Sequence, residues 1–330
     1  MTTVAINGFG RIGRRLFRIL QNNPKINVVA INDLADAKTL SHLLKYDSIH
    51  GVFTDVISHD DDHIIINDLK IPLLCHSHPG DIDWKAHDVD IVVESSGKFK
   101  SLADLNFHIS NGCNKVILSV PPEDDSIKTV VVGVNDSILE ESDTIISNAS
   151  CTTNNAAPML QIIDELCEIK QAYITTIHSY TTDQSLHDQP HRDLRRARAA
   201  GQSIVPTTTG AAKALTKIFP KLAHVIGGCG IRVPVPNGSL TDITFNVANP
   251  ISVDHINNAF KIASETKFKN ILQYTEDPIV SIDVVGNPHS CVFDAQMTSV
   301  IENMVKIVGW YDNESGYAHR VVDLIQRISK

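Results

Sequence analysis

No apolar run in this chain of 330 residues approaches the roughly 18 needed to cross a bilayer, so no membrane-spanning helix is expected. The six cysteines (Cys75, Cys113, Cys151, Cys167, Cys229 and Cys291) include no CxxC pair, which argues against a zinc ribbon and against a disulfide framework. The fifteen histidines include no HExxH cluster, and no metal site is expected. Positive charge is not in excess. The net charge of −9 is the wrong sign for a chain that coats nucleic acid, and no nucleic-acid partner is expected. The first residues lack the basic-then-apolar order of a secretory signal, so the expected location is the cytoplasm. No internal repeat or low-complexity segment is present. What remains, at 42% hydrophobic and 20% charged residues, is a globular chain long enough for one large or two ordinary domains.

The N-terminal half reads as an α/β fold. Val4–Asn7 is a short β-branched run, Arg11 to about Asn22 is helical, and Asn27–Asn32 is a second strand. Apolar runs recur at Ile91–Glu94, Val116–Ser119, Val130–Val132 and Thr144–Ile146. Strands apolar on both faces are what a parallel sheet covered by helices requires. Residues 1–150 are therefore expected to form a doubly wound Rossmann domain. Between its first strand and helix lies Gly8-Phe9-Gly10-Arg11-Ile12-Gly13, a GxGxxG loop. Its first glycine permits a tight turn, its second lets backbone approach a pyrophosphate, and its third lets helix and strand pack closely. The N–H groups of the opening turn, including those of Arg11 and Ile12, then face the phosphates. Asp33 lies about 20 residues past Gly13, where a carboxylate accepts both ribose hydroxyls of an adenosine and repels a 2′-phosphate. That context selects NAD.

The pattern changes after Ser150. Cys151–Glu168 reads as a helix capped by Ser150, and Tyr173–Tyr180 as a strand. Thr181–Pro206 has no strong periodicity and carries Arg192, Arg195, Arg196 and Arg198; loops of that length are usually functional. Long alternating strands follow near Ile226–Val235 and Ser239–Val247, then helices near Asp254–Thr266 and Ser315–Ser329. Residues 151–314 are expected to form an α+β domain with a mostly antiparallel sheet, and 315–330 a helix that returns to the first domain.

Within this second part, Cys151 stands at a helix start, a position that lowers a thiol pKa, and a nearby imidazole lowers it further. His178, at the end of the next strand, is the candidate partner. Cysteine with histidine is the pairing of a covalent catalyst. Taken alone, the residues leave open a cysteine hydrolase, which needs no dinucleotide loop, and a non-catalytic binding protein, which would not need to retain Cys151, His178 or Arg232.

The motifs INGFGRIGR at 6–14, LLKYDSIHG at 43–51, SNASCTTN at 147–154, HSYTTDQ at 178–184, LRRARAA at 194–200, PTTTGAAKA at 206–214, RVPVPN at 232–237 and WYDNESGY at 310–317 make the chain closely similar to glyceraldehyde-3-phosphate dehydrogenases along essentially its full length. The resemblance implies phosphorylating oxidation of an aldehyde with NAD and inorganic phosphate through a thioester on Cys151, with His178 as activator and acid/base. It implies that Thr181, Asp183 and Arg232 hold the substrate's phosphate. It implies an inorganic-phosphate site at Ser150, Thr152, Thr209, Gly210 and an arginine of 195–198, with Arg196 favoured and Arg198 the alternate. Asn313 resembles the residue that fixes the nicotinamide carboxamide, and Gly97 and Ser119 line the cofactor cleft. A homotetramer is implied by the resemblance alone.

Three features depart from the family pattern. Asn155 stands where many members have a second cysteine, and Cys75-His76-Ser77-His78 where an arginine is frequent near the adenine. Gln189 and Asn287-Pro288-His289-Ser290 resemble NADP-using members. NAD is therefore expected to be preferred, with measurable NADP use. The nearest rival is erythrose-4-phosphate dehydrogenase, which lacks the Thr-Thr-Thr-Gly motif kept here at 207–210.

Overall fold

A computed structural model describes residues 1–329, so the last residue of the expected 315–330 helix lies outside the described residues. The chain divides into two compact units. The first comprises Met1–Val130, Ser137–Ala149 and the chain from Ala318 onward; the second comprises Val131–Asp136 and Ser150–Tyr317. Among the described residues no helix is long and apolar enough to cross a membrane.

The first unit is built on a nine-stranded sheet in the order Lys128–Thr129, Ile145–Ser147, Lys115–Leu118, Ile91–Glu94, Thr2–Asn7, Ile26–Asn32, Leu69–Leu74, His63–Ile66 and Ile57–His59. The first seven strands run parallel, and every residue of Ile91–Glu94 is buried, as a sheet covered on both faces demands. Thr2–Asn7 pairs with Ile26–Asn32 on one side and Ile91–Glu94 on the other. The strand order reverses at that point, and ligands of such sheets bind outside the carboxyl ends of the strands there. The expected strand at Val130–Val132 is displaced to Lys128–Thr129. The Asn135 side chain takes the Val131 N–H at 2.7 Å, Asp136 takes that of Gly133, and Gly133 has φ +84°; these contacts bend the backbone out of the sheet.

The second unit holds an eight-stranded sheet. Its main path runs Val205–Thr207, Ile226–Val233, Ile169–Ser179, Ser239–Val247, Met304–Tyr311, Cys291–Asp294 and Leu272–Thr275, and Ser299–Ile301 pairs with Met304–Tyr311. Ser239–Val247 alternates buried and partly exposed residues, the signature of a strand with one face in the core. The helices Cys151–Cys167, Ala211–Ile218 and Val253–Glu265 supply that cover. Ile169–Ser179 and Ile226–Val233 are parallel and in register, which sets His178 opposite Arg232.

Asn155 ties this unit together. It is fully buried, and its Nδ2 donates to the carbonyls of Ser290, Gly309 and Trp310 at 3.2–3.3 Å, so the residue pins the Cys151–Cys167 helix to the sheet. Its Oδ1 has no partner, so truncation also removes an unsatisfied acceptor and the net loss is moderate. We expect Asn155→Ala to destabilise by about 1–3 kcal/mol. The measurement is a lowered urea midpoint at unchanged slope; an unaltered midpoint would show that the three contacts contribute nothing.

Candidate active site

In the first unit, each glycine of the loop has a distinct steric reason. A Cβ on Gly8, at φ +93°, would sit 2.4 Å from the Ser96 nitrogen, and one on Gly13 would sit 2.3 Å from the Gly8 oxygen. Gly10 caps the Arg11–Leu20 helix without any side-chain bond, and a Cβ there would meet no atom within 4 Å. The opening turn contains no acidic residue. Open space before the first turn of a helix suits phosphate oxygens. Gly97, at φ +72°, also faces open space. Asp33 braces the loop, accepting from the Phe9 N–H at 2.7 Å and the Ala35 N–H at 3.0 Å. The Arg11 guanidinium pairs with Asp47 at 2.8 Å. Ser119 is buried at a strand end, its N–H on the Glu94 carbonyl at 3.0 Å.

A buried polar network behind this loop was not anticipated. The Glu94 carboxylate accepts from the Asn7 amide, from the Ser96 N–H at 2.8 Å and from His108 Nε2 at 3.1 Å. The Trp84 indole donates to His108 Nδ1 at 2.9 Å, which fixes the histidine's proton on Nε2. The sequence signal was a lone charge ending the apolar run Ile91–Glu94. A buried carboxylate with several donors holds the Ser95–Ser96 segment where it crosses Gly8.

In the second unit, Ser150 caps the helix through Thr153, and the preceding Ala149 has φ +56°, unusual for a residue with a side chain. The cap starts the helix at Cys151. Its Sγ lies 3.4 Å from His178 Nε2. His178 Nδ1 lies 2.7 Å from the Ser179 carbonyl and 2.8 Å from Arg232 Nη1. That same Nη1 reaches the Ser179 carbonyl at 2.8 Å and the Thr181 hydroxyl at 3.3 Å. Thr181 donates to Asp183, and Asp183 pairs with Arg196 at 2.5 Å. Arg196 also reaches the Thr207 hydroxyl at 2.9 Å and the Thr208 carbonyl at 3.2 Å, beside Thr209 and Gly210. Thr209 accepts from the Ala211 N–H at 3.2 Å, and Gly210 opens the Ala211–Ile218 helix. Arg198 points elsewhere, to exposed Asp188 at 2.9 Å.

Cys151, His178, Thr181, Asp183, Arg196 and Arg232 therefore form one chain of contacts. Thr152 is turned inward, its hydroxyl 2.9 Å from that of Tyr311, which also meets Thr176 at 3.0 Å. The Tyr311 ring stands edge-on to the His178 ring at 6.0 Å. Asn313 Oδ1 accepts from the Ser179 and Ser239 hydroxyls at 2.7 and 2.9 Å, which directs its Nδ2 outward as a donor. Tyr311, Ser179 and Ser239 were not anticipated; only their places beside motif residues could have signalled them.

Burial and charge set the proton affinities. Burial first, then the Arg232 charge, pushes His178 down to about 3, so the ring is neutral. Burial raises the Cys151 thiol above its ordinary value, while Arg232 and the N–H and hydroxyl of Thr152 pull the other way. The expected depression of this thiol by helix and imidazole is thus outweighed by desolvation. Arg232 favours the thiolate and disfavours the imidazolium, so the cation that steadies a developing thiolate is Arg232. Burial would also raise Asp183, but the Thr181 hydroxyl and the charges of Arg232 and Arg196 together hold it below its ordinary value.

A glycine loop at the switch point of a parallel sheet is the mark of a dinucleotide-binding fold, and a thiol–imidazole pair beside arginines suits covalent work on an anionic carbonyl compound; the class is that of the NAD-dependent oxidoreductases. Comparison with known proteins gives the family. The profile for the "Glyceraldehyde 3-phosphate dehydrogenase, NAD binding domain" matches residues 2–102, and that for the C-terminal domain matches residues 150–313. The chain is 50% identical over 324 residues to "Glyceraldehyde-3-phosphate dehydrogenase 2" of Streptomyces avermitilis, covering 97% of this chain and 96% of that protein. It is 49% identical over 334 residues to the glyceraldehyde-3-phosphate dehydrogenase of Mycobacterium avium, covering 99% and 98%. The chain belongs to the glyceraldehyde-3-phosphate dehydrogenase family.

Proposed function

We propose that the protein oxidises D-glyceraldehyde 3-phosphate to 1,3-bisphosphoglycerate with NAD and inorganic phosphate. The observation that carries this reading is the Cys151–His178 pair at 3.4 Å with Arg232 on the far side of the ring. The Cys151 sulfur adds to the aldehyde carbon, and the carbonyl oxygen takes a proton to give a hemithioacetal. His178 Nε2 then accepts the hydroxyl proton as the carbon gives up its hydride, leaving a thioester. Bound NAD supplies the hydride acceptor. A phosphate oxygen displaces the Cys151 sulfur, which leaves as thiolate, and the acyl phosphate departs.

Thr181, Asp183 and Arg232 take the substrate phosphate. Ser150, Thr209, Gly210 and Arg196, together with the Thr152 backbone, take inorganic phosphate. The contacts of Arg196 with Thr207 and Thr208 favour it over Arg198. Gly8, Gly10, Arg11, Ile12, Gly13, Gly97 and Ser119 cradle the dinucleotide, Asp33 takes its adenosine ribose, and Asn313 donates to its carboxamide. Erythrose-4-phosphate dehydrogenase is not favoured, since the relatives described above are named glyceraldehyde-3-phosphate dehydrogenase and Thr207–Gly210 is intact. We place the protein in the cytoplasm as a homotetramer. Tyr173, Ile301 and Met304 on the sheet of the second unit, and Leu186, Leu194 and Ile204 on the arginine-rich loop, are large apolar side chains left exposed, as subunit contacts require.

Initial rates with glyceraldehyde 3-phosphate, with and without phosphate and with each dinucleotide, test the assignment. NADH formation that depends on phosphate is the expected result; equal rates without phosphate would overturn it. NAD should give the higher kcat/KM, because Asp33 repels a 2′-phosphate and the Gln189 amide is spent on Ser185 within its own loop. NADP should still turn over measurably. Asp33→Gly should narrow the ratio by about tenfold or more, the worth of one charge-assisted hydrogen bond. A wild-type protein that prefers NADP would refute the role given to Asp33.

A further inference from the structure

Strand register in the second unit gathers three residues at one end of the sheet. Ser179 ends one strand, Ser239 begins its antiparallel neighbour and Tyr311 ends the next, since Ile177 pairs with Leu240 and Ser239 with Tyr311. Asn313 follows two residues later and is 6% exposed. Its Oδ1 accepts from the Ser179 hydroxyl at 2.7 Å and from the Ser239 hydroxyl at 2.9 Å. Both hydroxyls are buried, and Ser239 Oγ also accepts from the Ser179 N–H at 3.1 Å. Apart from Oδ1, each hydroxyl hydrogen has only the other hydroxyl oxygen as an acceptor among the described residues, at 3.4 Å, which is long for such a bond. Turning the amide over is therefore costly in two ways. An NH2 facing the serines would leave at least one buried hydroxyl hydrogen without an acceptor. It would also spend both amide hydrogens inward and present only an acceptor outward. In the orientation observed, Nδ2 has no partner among the described residues, and both its hydrogens are available. The backbone is held as well. The Asp312 carboxylate, 1% exposed, accepts from the Asn237 amide and from the Glu314 and Ser315 N–H groups, each at 2.8 Å, and from the Gly286 N–H at 2.6 Å.

We propose that Ser179 and Ser239 are positioning residues for the nicotinamide: their hydroxyls hold Asn313 Oδ1 so that Nδ2 stays turned outward, as a donor to the carboxamide oxygen. The inference rests on the reading above that Asn313 donates to the carboxamide. A carboxamide offers an oxygen on one arm and an NH2 on the other. A side-chain amide free to turn would accept from one or donate to the other, and would hold the ring in either of two ways. An amide fixed as a donor recognises the oxygen alone, because an NH2 brought to the same place would meet another donor. Asp312 completes the device by fixing the backbone on either side of Asn313. Ser179 carries a second tie. Its carbonyl lies 2.7 Å from His178 Nδ1 while its hydroxyl holds Asn313, so one residue refers the base and the nicotinamide-binding amide to a common frame. That frame matters because the hydride and the hydroxyl proton leave one hemithioacetal together, towards different acceptors. The serines act through Asn313, so their loss should be felt by the nicotinamide end of the cofactor and not by its adenosine or phosphates.

ADP-ribose separates the two ends, since it carries the adenosine, both phosphates and the second ribose but no nicotinamide. Dissociation constants for NAD and for ADP-ribose would be measured by calorimetry on the full chain. Ser239→Ala should weaken NAD about fivefold, the worth of one hydrogen bond, and the double change Ser179→Ala with Ser239→Ala about tenfold or more. ADP-ribose should bind each variant within about twofold of wild type, because no contact to it depends on the hydroxyls, and that binding also reports an intact fold. Ser239→Cys, which keeps a weak donor, should fall between wild type and Ser239→Ala. Should the double variant fold poorly, Ser239→Ala alone carries the test. An unchanged ratio of the NAD and ADP-ribose constants in Ser239→Ala would overturn the proposal, whether both ligands weaken together or neither does. Asn313→Ala separates that failure from failure of the function reading. A raised ratio in Asn313→Ala with an unchanged ratio in the serine variants would leave Asn313 as the nicotinamide ligand and remove the serines as its positioners. An unchanged ratio in Asn313→Ala as well would remove both.

Discussion

Replacing Cys151 by serine should lower phosphorylating turnover on the order of a thousandfold or more while leaving NAD affinity unchanged. The reason lies in the group on the far side of the ring. A serine hydroxyl becomes a nucleophile when a histidine removes its proton, and such a histidine is usually backed by a carboxylate that stabilises the imidazolium. Here the backing group is Arg232, 2.8 Å from Nδ1, and burial together with that charge holds His178 at about 3. The imidazole is a weak base for a serine hydroxyl, whose proton, unlike that of the hemithioacetal, does not leave together with a departing hydride. A thiol ionises more readily, and Arg232 and Thr152 both favour its anion. The site thus favours a sulfur nucleophile over a serine hydroxyl. The fold should survive, because the cap is Ser150 and its bond runs to Thr153, and the glycine cradle belongs to the first unit. Steady-state rates and a fluorescence titration with NAD are the two measurements. Turnover by the serine variant within about tenfold of wild type would end the thioester mechanism.

Much of this arrangement was legible because single residues carry steric or chemical demands that local sequence cannot hide. Gly8 and Gly13 stand where a Cβ would strike backbone and Gly10 where it would enter open space before the helix, and Ser150 before Cys151 announces a helix start that the structure places at Cys151. Ser239–Val247 was readable to the residue from its alternation. The hairpin at 57–74 was missed although its turn, Asn67-Asp68, has both residues at positive φ and joins strands with register Ile66 opposite Leu69. That dipeptide is a recognisable hairpin signal, obscured by strands of only three to six residues. Contacts between distant segments had no such local mark. Asn155 on three carbonyls, Tyr311 between Thr152 and Thr176, and Arg232 against His178 all depend on strand register, which no window of sequence encodes. The direction of the Cys151 shift was misjudged for the same reason: the helix position was visible, and the burial around it was not.

His178→Asn should reduce turnover by roughly a hundredfold or more, because asparagine keeps a hydrogen-bonding amide near the sulfur but cannot take a proton. Arg232 remains in this variant, so the thiolate keeps its charge partner. The rate of iodoacetamide alkylation of Cys151 should therefore survive with its pH profile moved upward. The same substitution has a second, oppositely directed effect. A ring held at about 3 in the folded protein and near 6.5 when unfolded binds its proton first in the unfolded chain. Above 6.5 both states are neutral and the group adds no pH dependence. As pH falls from 6.5 towards 3, the unfolded state gains a proton that the folded state refuses, and stability falls by up to about 1.4 kcal/mol per pH unit. Asparagine has no such proton to gain. The variant should then be less active than wild type at every pH, yet lose less stability between pH 6.5 and 4. Urea midpoints measured across that range give the comparison. Parallel midpoint curves for the two proteins would mean that His178 titrates normally in the folded state, and the buried neutral base would have to be abandoned.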